Sequence, residues 1–107
     1  NFCREHLSWV FVAEEKGGIV GFVTIEYWSE KQVGRIQNSC VLPDYRGRGI
    51  STRLVRHALQ ELKRLGARKV QVHTKHVPAA CRVYEKVGFS LSSREGERFL
   101  YEMELLS

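Results

Sequence analysis

No stretch of this chain approaches 18 consecutive apolar residues, so nothing in it reads as a membrane-spanning helix. Its opening residues, N-F-C-R-E-H-L-S, have neither the basic start nor the apolar core of a secretory signal. Cysteine is scarce. Cys3, Cys40 and Cys81 are odd in number, widely spaced and free of any C-x-x-C pair. That argues against a disulfide framework and a structural zinc site, and for a reducing, cytoplasmic setting with no metal. Cys40 falls in a strand pattern and Cys81 in a helix pattern, so each is expected to be a small buried hydrophobe. Proline occurs only as Pro43 and Pro78, where an element stops and another starts. There is no repeat, linker or low-complexity segment, and no Gly-Lys-Ser/Thr, which excludes a P-loop.

What remains reads as one small domain over residues 1–107, with 43% apolar and 27% charged residues. Trp9 to Ala13 is a strand by composition, and E-E-K-G-G a hairpin turn. Ile19 to Trp28 and Gln32 to Leu42 continue an antiparallel meander, because the loops between are short. From Ile50 to Leu65 the residues Ile50, Leu54, Val55, Ala58, Leu59, Leu62 and Leu65 recur at helical spacing, and Gly66 follows as a cap. Ala67 to Thr74 is a further strand. A second helix starts near Pro78 and ends at Gly88, and a last hairpin turns at Glu95-Gly96-Glu97. The order βββ-α-β-α-ββ implies an α/β (α+β) fold, a mixed sheet with helices packed on it. Asn1 to Ser8 has no strong pattern. A sheet with crossover helices wants both faces covered, so a helical segment ahead of this stretch, or a partner subunit as in a homodimer, is expected to supply cover.

The charge is +5 overall, and its placement is uneven. Arg46 to His76 holds nine Lys or Arg and a single acid, Glu61. A solvated helix face accounts for Arg56, Lys63 and Arg64. Arg46 and Arg48 are different, because they lie inside V-L-P-D-Y-R-G-R-G-I-S-T, residues 41–52. There a strand ends, Gly47 and Gly49 each follow an arginine, and a long helix begins. Unpaired turn amides, a helix N-terminus and two guanidinium groups together make a place for phosphate. Glycine lets the backbone approach the anion.

Two stretches resemble one family, the Gcn5-related N-acetyltransferases. The first is V-L-P-D-Y-R-G-R-G-I-S, similar to that family's pyrophosphate signature through Arg46, Gly49 and Ser51. The second, A-A-C-R-V-Y-E-K-V-G-F, is similar to its second helix through Ala80, Tyr84, Gly88 and Phe89. The element order from Trp9 onward matches as well, without the family's usual N-terminal strand and helices. The resemblance implies a GNAT-like, mostly antiparallel mixed sheet. It implies acetyl-coenzyme A as donor and an amine, on a small molecule or a protein, as acceptor that attacks the thioester directly. It places pantetheine against backbone groups of Ser39 and Val41, where the third strand splays from the next parallel one. The diphosphate would rest on amides of Arg46, Gly47, Arg48, Gly49, Ile50, Ser51 and Thr52, with both arginines helping. Tyr84 would protonate the departing thiolate. Ser51 stands where Gly or Ala is usual, and Val77 where Asn is. For the general base the candidates are Glu26, His73, His76 or a water chain.

Other classes compete for the same residues. G-R-G-I-S-T lacks the third glycine of a dinucleotide fingerprint, and no acid ends the strand that follows. A nucleic-acid module would use the basic block, yet only Tyr45 among the exposed-type aromatics is interleaved with it. A catalytically weak acyl-CoA-binding or sensing domain of the same fold is the nearest alternative.

Overall fold

The computed structural model describes residues 6–75 and 78–105. Strands β1 (His6–Glu15), β2 (Gly18–Trp28) and β3 (Val33–Val41) form the expected meander. A short 3₁₀ turn (Pro43–Tyr45) leads to helix α1 (Ile50–Leu65), and then come β4 (Lys69–Lys75), α2 (Pro78–Val87), β5 (Ser90–Glu95) and β6 (Arg98–Glu104). The six strands make one sheet in the order β1-β2-β3-β4-β6-β5. Only β3 and β4 run parallel; every other neighbouring pair is antiparallel. The last hairpin therefore inserts β6 between β4 and β5, leaving β5 as a wholly exposed edge.

Helix α1 begins and ends where its periodicity places it, and its buried positions are Ile50, Thr52, Leu54, Val55, Ala58 and Leu62. These lie on Val23, Ile25, Ile36, Val70 and Val72, the inward residues of three central strands. Burying each such aliphatic side chain contributes about 1.5–3 kcal/mol. Gly66 ends the helix, its N–H returning to the Lys63 carbonyl at 3.1 Å. Helix α2 packs on the same face. Its Tyr84 ring lies 6.0 Å from Tyr101, which pairs with Val72 across the β4–β6 ladder. Among the described residues no helix covers the opposite face, where Val10 and Val12 are 62% and 48% exposed.

The approach of α1 to β3 is set by Gly34. A Cβ there would lie 2.7 Å from Leu62 Cδ2, so a larger residue must displace the Leu62 side chain or the helix that carries it. Gly34→Val is expected to destabilise the protein by about 1–3 kcal/mol, read as a lower urea midpoint. Adding Leu62→Ala should restore part of that loss, because the two sites share one space.

Cys40 corrects a sequence expectation. It is exposed, whereas Cys81 is buried as expected. The reason is a bulge in β3. Thr24 pairs with Asn38 but the next residue, Ile25, pairs with Ile36, so Gln37 is an extra residue. One extra residue reverses the inward-outward parity. Gly34 and Ile36 point to the helices before the bulge, and Val41 does so after it, which turns Cys40 outward.

Candidate active site

The glycine bend takes the form expected of an anion cradle. Gly47 and Gly49 both have φ of +80°, and a Cβ at either would meet nothing within 4 Å. Glycine is thus needed for backbone conformation and not for room. Left-handed residues in such a bend gather N–H groups into an anion-receptive concavity. The first helical bond of α1 runs from the Arg53 N–H to the Gly49 carbonyl at 3.0 Å. The amides of Ile50, Ser51 and Thr52 therefore have no helical acceptor. No acidic residue stands in that first turn to occupy them or to repel an anion. The side chains of Ile50 and Thr52 are buried, so these two residues offer only their amides.

Both arginines of the bend have local partners. Arg46 Nε donates to the Val41 carbonyl at 3.0 Å, tying the bend to the end of β3. The Arg48 guanidinium lies 5.0 Å from the Tyr45 ring centroid, a cation–π contact that holds it beside the bend. Farther along α1, Arg64 pairs with Glu61 three residues earlier. That part of the basic block is a solvated helix face, as its sequence suggests.

The second half of the site is a slot between strands. The β3–β4 ladder runs from Val33/Lys69 to Ile36/Val72 and stops there, although β3 continues to Val41 and β4 to Lys75. It stops at the bulged Gln37, and bulges bend the strand that carries them. Leu42 donates its N–H to Val20 of β2. Alternation along the strand then aims the backbone groups of Val41 and Ser39 away from β2, into the gap. Since Arg46 already takes the Val41 carbonyl, the Val41 N–H and the backbone of Ser39 are what this edge offers a ligand.

The gap opens into a cleft of about 420 Å³ between Arg35–Gln37 of β3 and His73–Lys75 of β4, with Arg98 of β6 on its wall. Two of the three candidate bases relate to it. His73 lines it directly. Glu26 accepts a short hydrogen bond from the side-chain amide of Gln37, itself a wall residue. The third, His76, lies outside the described residues, as does Val77. Arg35, Gln37, Lys75 and Arg98 were not singled out from sequence. The only local signal was Gln37-Asn38, two polar residues in succession that break the alternation of β3.

Tyr84 is buried on α2, its ring edge-on to Phe89 at 5.8 Å. Burial, with a smaller contribution from Cys81, raises its pKa above the usual phenol value, so the hydroxyl stays protonated at neutral pH. The neighbouring Tyr101 is committed elsewhere, donating its hydroxyl to Glu85 Oε2 at 2.8 Å. Glu102, near His73, accepts from Gln71 Nε2 at 2.7 Å, which holds its carboxyl below the usual range.

A strand that leaves its parallel neighbour, followed by a glycine bend feeding a helix, defines the candidate site. Residues 2–89 match the model of the acetyltransferase (GNAT) family. The chain belongs to that family. An uncharacterized N-acetyltransferase of Methanocaldococcus jannaschii is 35% identical over 85 residues, covering 74% of this chain and 38% of the relative. A streptothricin acetyltransferase of Streptomyces lavendulae is 30% identical over 96 residues, covering 79% of this chain and 51% of the relative. The chain thus spans about half or less of these curated relatives. Among solved structures, the PaiA N-acetyltransferase of Thermoplasma acidophilum in complex with coenzyme A superposes with a TM-score of 0.84 at 17% identity. It covers 92% of this chain, and this chain covers 61% of it. A Bacillus subtilis acetyltransferase in complex with CoA gives a TM-score of 0.81 at 19% identity, with 91% of this chain and 76% of that one covered. At these identities the superpositions show the shared fold.

Proposed function

We propose that residues 1–107 form an acetyltransferase domain that moves the acetyl group of acetyl-coenzyme A to an amine. One observation carries the reading: the β3–β4 ladder ends at Ile36/Val72, so Ser39 and Val41 face a gap that leads to the glycine bend. The donor's diphosphate suits the cradle of unpaired amides from Arg46 to Thr52, and its pantetheine arm suits the free edge of β3. Coenzyme A is bound in related folds from Thermoplasma acidophilum and Bacillus subtilis, which supports the assignment. The scarce, unpaired cysteines support a cytoplasmic setting.

The donor supplies an activated acetyl thioester. A neutral amine adds to its carbonyl carbon. A C–N bond forms, the C–S bond breaks, the amine gives up a proton and the sulfur gains one. The amide groups near Ser39 to Val41 stabilise charge developing on the acetyl oxygen. His73, Glu26 or a water chain takes the amine proton. Tyr84 supplies a hydroxyl to the sulfur. At reference values, complete transfer from a phenol to a thiolate is uphill by about 2 kcal/mol. Burial of Tyr84 makes transfer harder still. Its main contribution is therefore a hydrogen bond to the leaving thiolate, which takes its proton from solvent water.

Release of free thiol from acetyl-coenzyme A, followed over a panel of amines that includes streptothricin, tests the reading. Acetylation of at least one amine, confirmed by product mass, is the expected result. Tight coenzyme A binding with no release on any amine would instead make the domain an acyl-CoA sensor.

A further inference from the structure

The cleft where β3 and β4 part is lined by cations and by no acid. Arg35, Lys75 and Arg98 come from three strands, and His73 stands among them. Among the described residues no salt bridge joins Arg35, Lys75 or Arg98 to an acid. Glu26 and Glu95 sit opposite Arg35 and Arg98 in their ladders, yet neither lines the cleft. Arg35 adds an independent sign. Its Nε is buried and has no hydrogen-bond partner, while its guanidinium is held 5.1 Å from the Trp28 ring centroid. A buried, unpartnered guanidinium N–H is costly unless something accepts from it. These groups lie on the face away from α1 and α2, whereas the phosphate cradle lies at the start of α1. The cationic cleft is thus separate from the place that fits the donor's diphosphate.

We propose that the acceptor is an amine that itself carries an anionic group, a carboxylate or a phosphate a few bonds from the nitrogen. This deepens the transferase reading and rests on it. The anion is held by Lys75 and Arg98 with the Arg35 guanidinium beside them, forming charge-assisted hydrogen bonds. The same cations favour the neutral over the protonated amine, because like charge disfavours an ammonium. Binding and activation of the nucleophile then come from one set of side chains.

The test compares glycine with glycinamide, and an aminoalkyl phosphate with a polyamine, at equal concentrations of neutral amine. The anionic acceptors are expected to have a kcat/KM about tenfold higher or more, mostly through KM. In Lys75→Gln/Arg98→Gln that preference should fall to about one. The fall should come from a loss of kcat/KM for glycine relative to the wild type, with glycinamide little changed. Carboxylate and phosphate arms identify which anion is preferred. A second readout needs no turnover. With coenzyme A present, the Arg35 Nε–H resonance should shift on adding glycine and stay put with glycinamide. Equal use of charged and uncharged amines, preference for the polyamine, or an unmoved Arg35 resonance would overturn the proposal and leave the transferase intact. An Arg35 shift without acetylation of any amine would instead sink the transferase reading while the anion site stood.

Discussion

Tyr84→Phe is expected to lower turnover about 100-fold, the scale of losing one well-placed donor to a developing anion. Coenzyme A affinity should change less than about twofold, since the cradle at the start of α1 lies on other elements. Stability should hold too. The Tyr84 ring is buried against Phe89 and Tyr101, and phenylalanine keeps that ring. No hydrogen bond ties the Tyr84 hydroxyl among the described residues, so its removal leaves no orphan. The pH profile offers a second check. Because burial raises the phenol's pKa, its ionisation limits the wild-type rate only above about pH 10. Removing the hydroxyl should remove that alkaline limb. Turnover equal to wild type would place Tyr84 in the core and outside the chemistry.

The second large effect belongs to Gly49. Its φ of +80° lies in the left-handed region, with open space where a Cβ would stand. A β-branched residue is strained there for conformational reasons alone. Gly49→Val should cost about 1–2 kcal/mol, and calorimetry should show coenzyme A binding weakened by about tenfold or more. Gly49→Asn is the informative control, because asparagine tolerates left-handed backbone. Asparagine should retain most of the affinity. If both variants bound as wild type does, the bend would not be the diphosphate cradle. If both failed alike, bulk and not conformation would govern the position.

Much of the architecture was legible because its determinants are local. The stripe from Ile50 to Leu65 places α1 at its observed bounds, and Gly66 stops it. Lys16-Gly17 and Gly96-Glu97 are short turns, so their strands had to be antiparallel neighbours. The sequence raised Arg46 only as a phosphate ligand; its Nε contact to the Val41 carbonyl depends on a neighbour five residues away that no periodicity reveals. Strand ends were read short at β1, which extends to Glu15, because charged residues at a strand end look like turn.

The chain by itself determined a βββ-α-β-α-ββ order, one amphipathic helix of known bounds and a glycine-arginine bend at that helix's start. Side-chain period and glycine's backbone freedom act over a few residues, so they are written locally. Only the tertiary structure decided that Cys40 faces outward, that β6 lies between β4 and β5, and that Arg35, Lys75 and Arg98 meet at one cleft. The strand order and the cleft depend on pairing across the two crossover helices, and the facing of Cys40 on one bulged residue, Gln37, which reverses every facing after it.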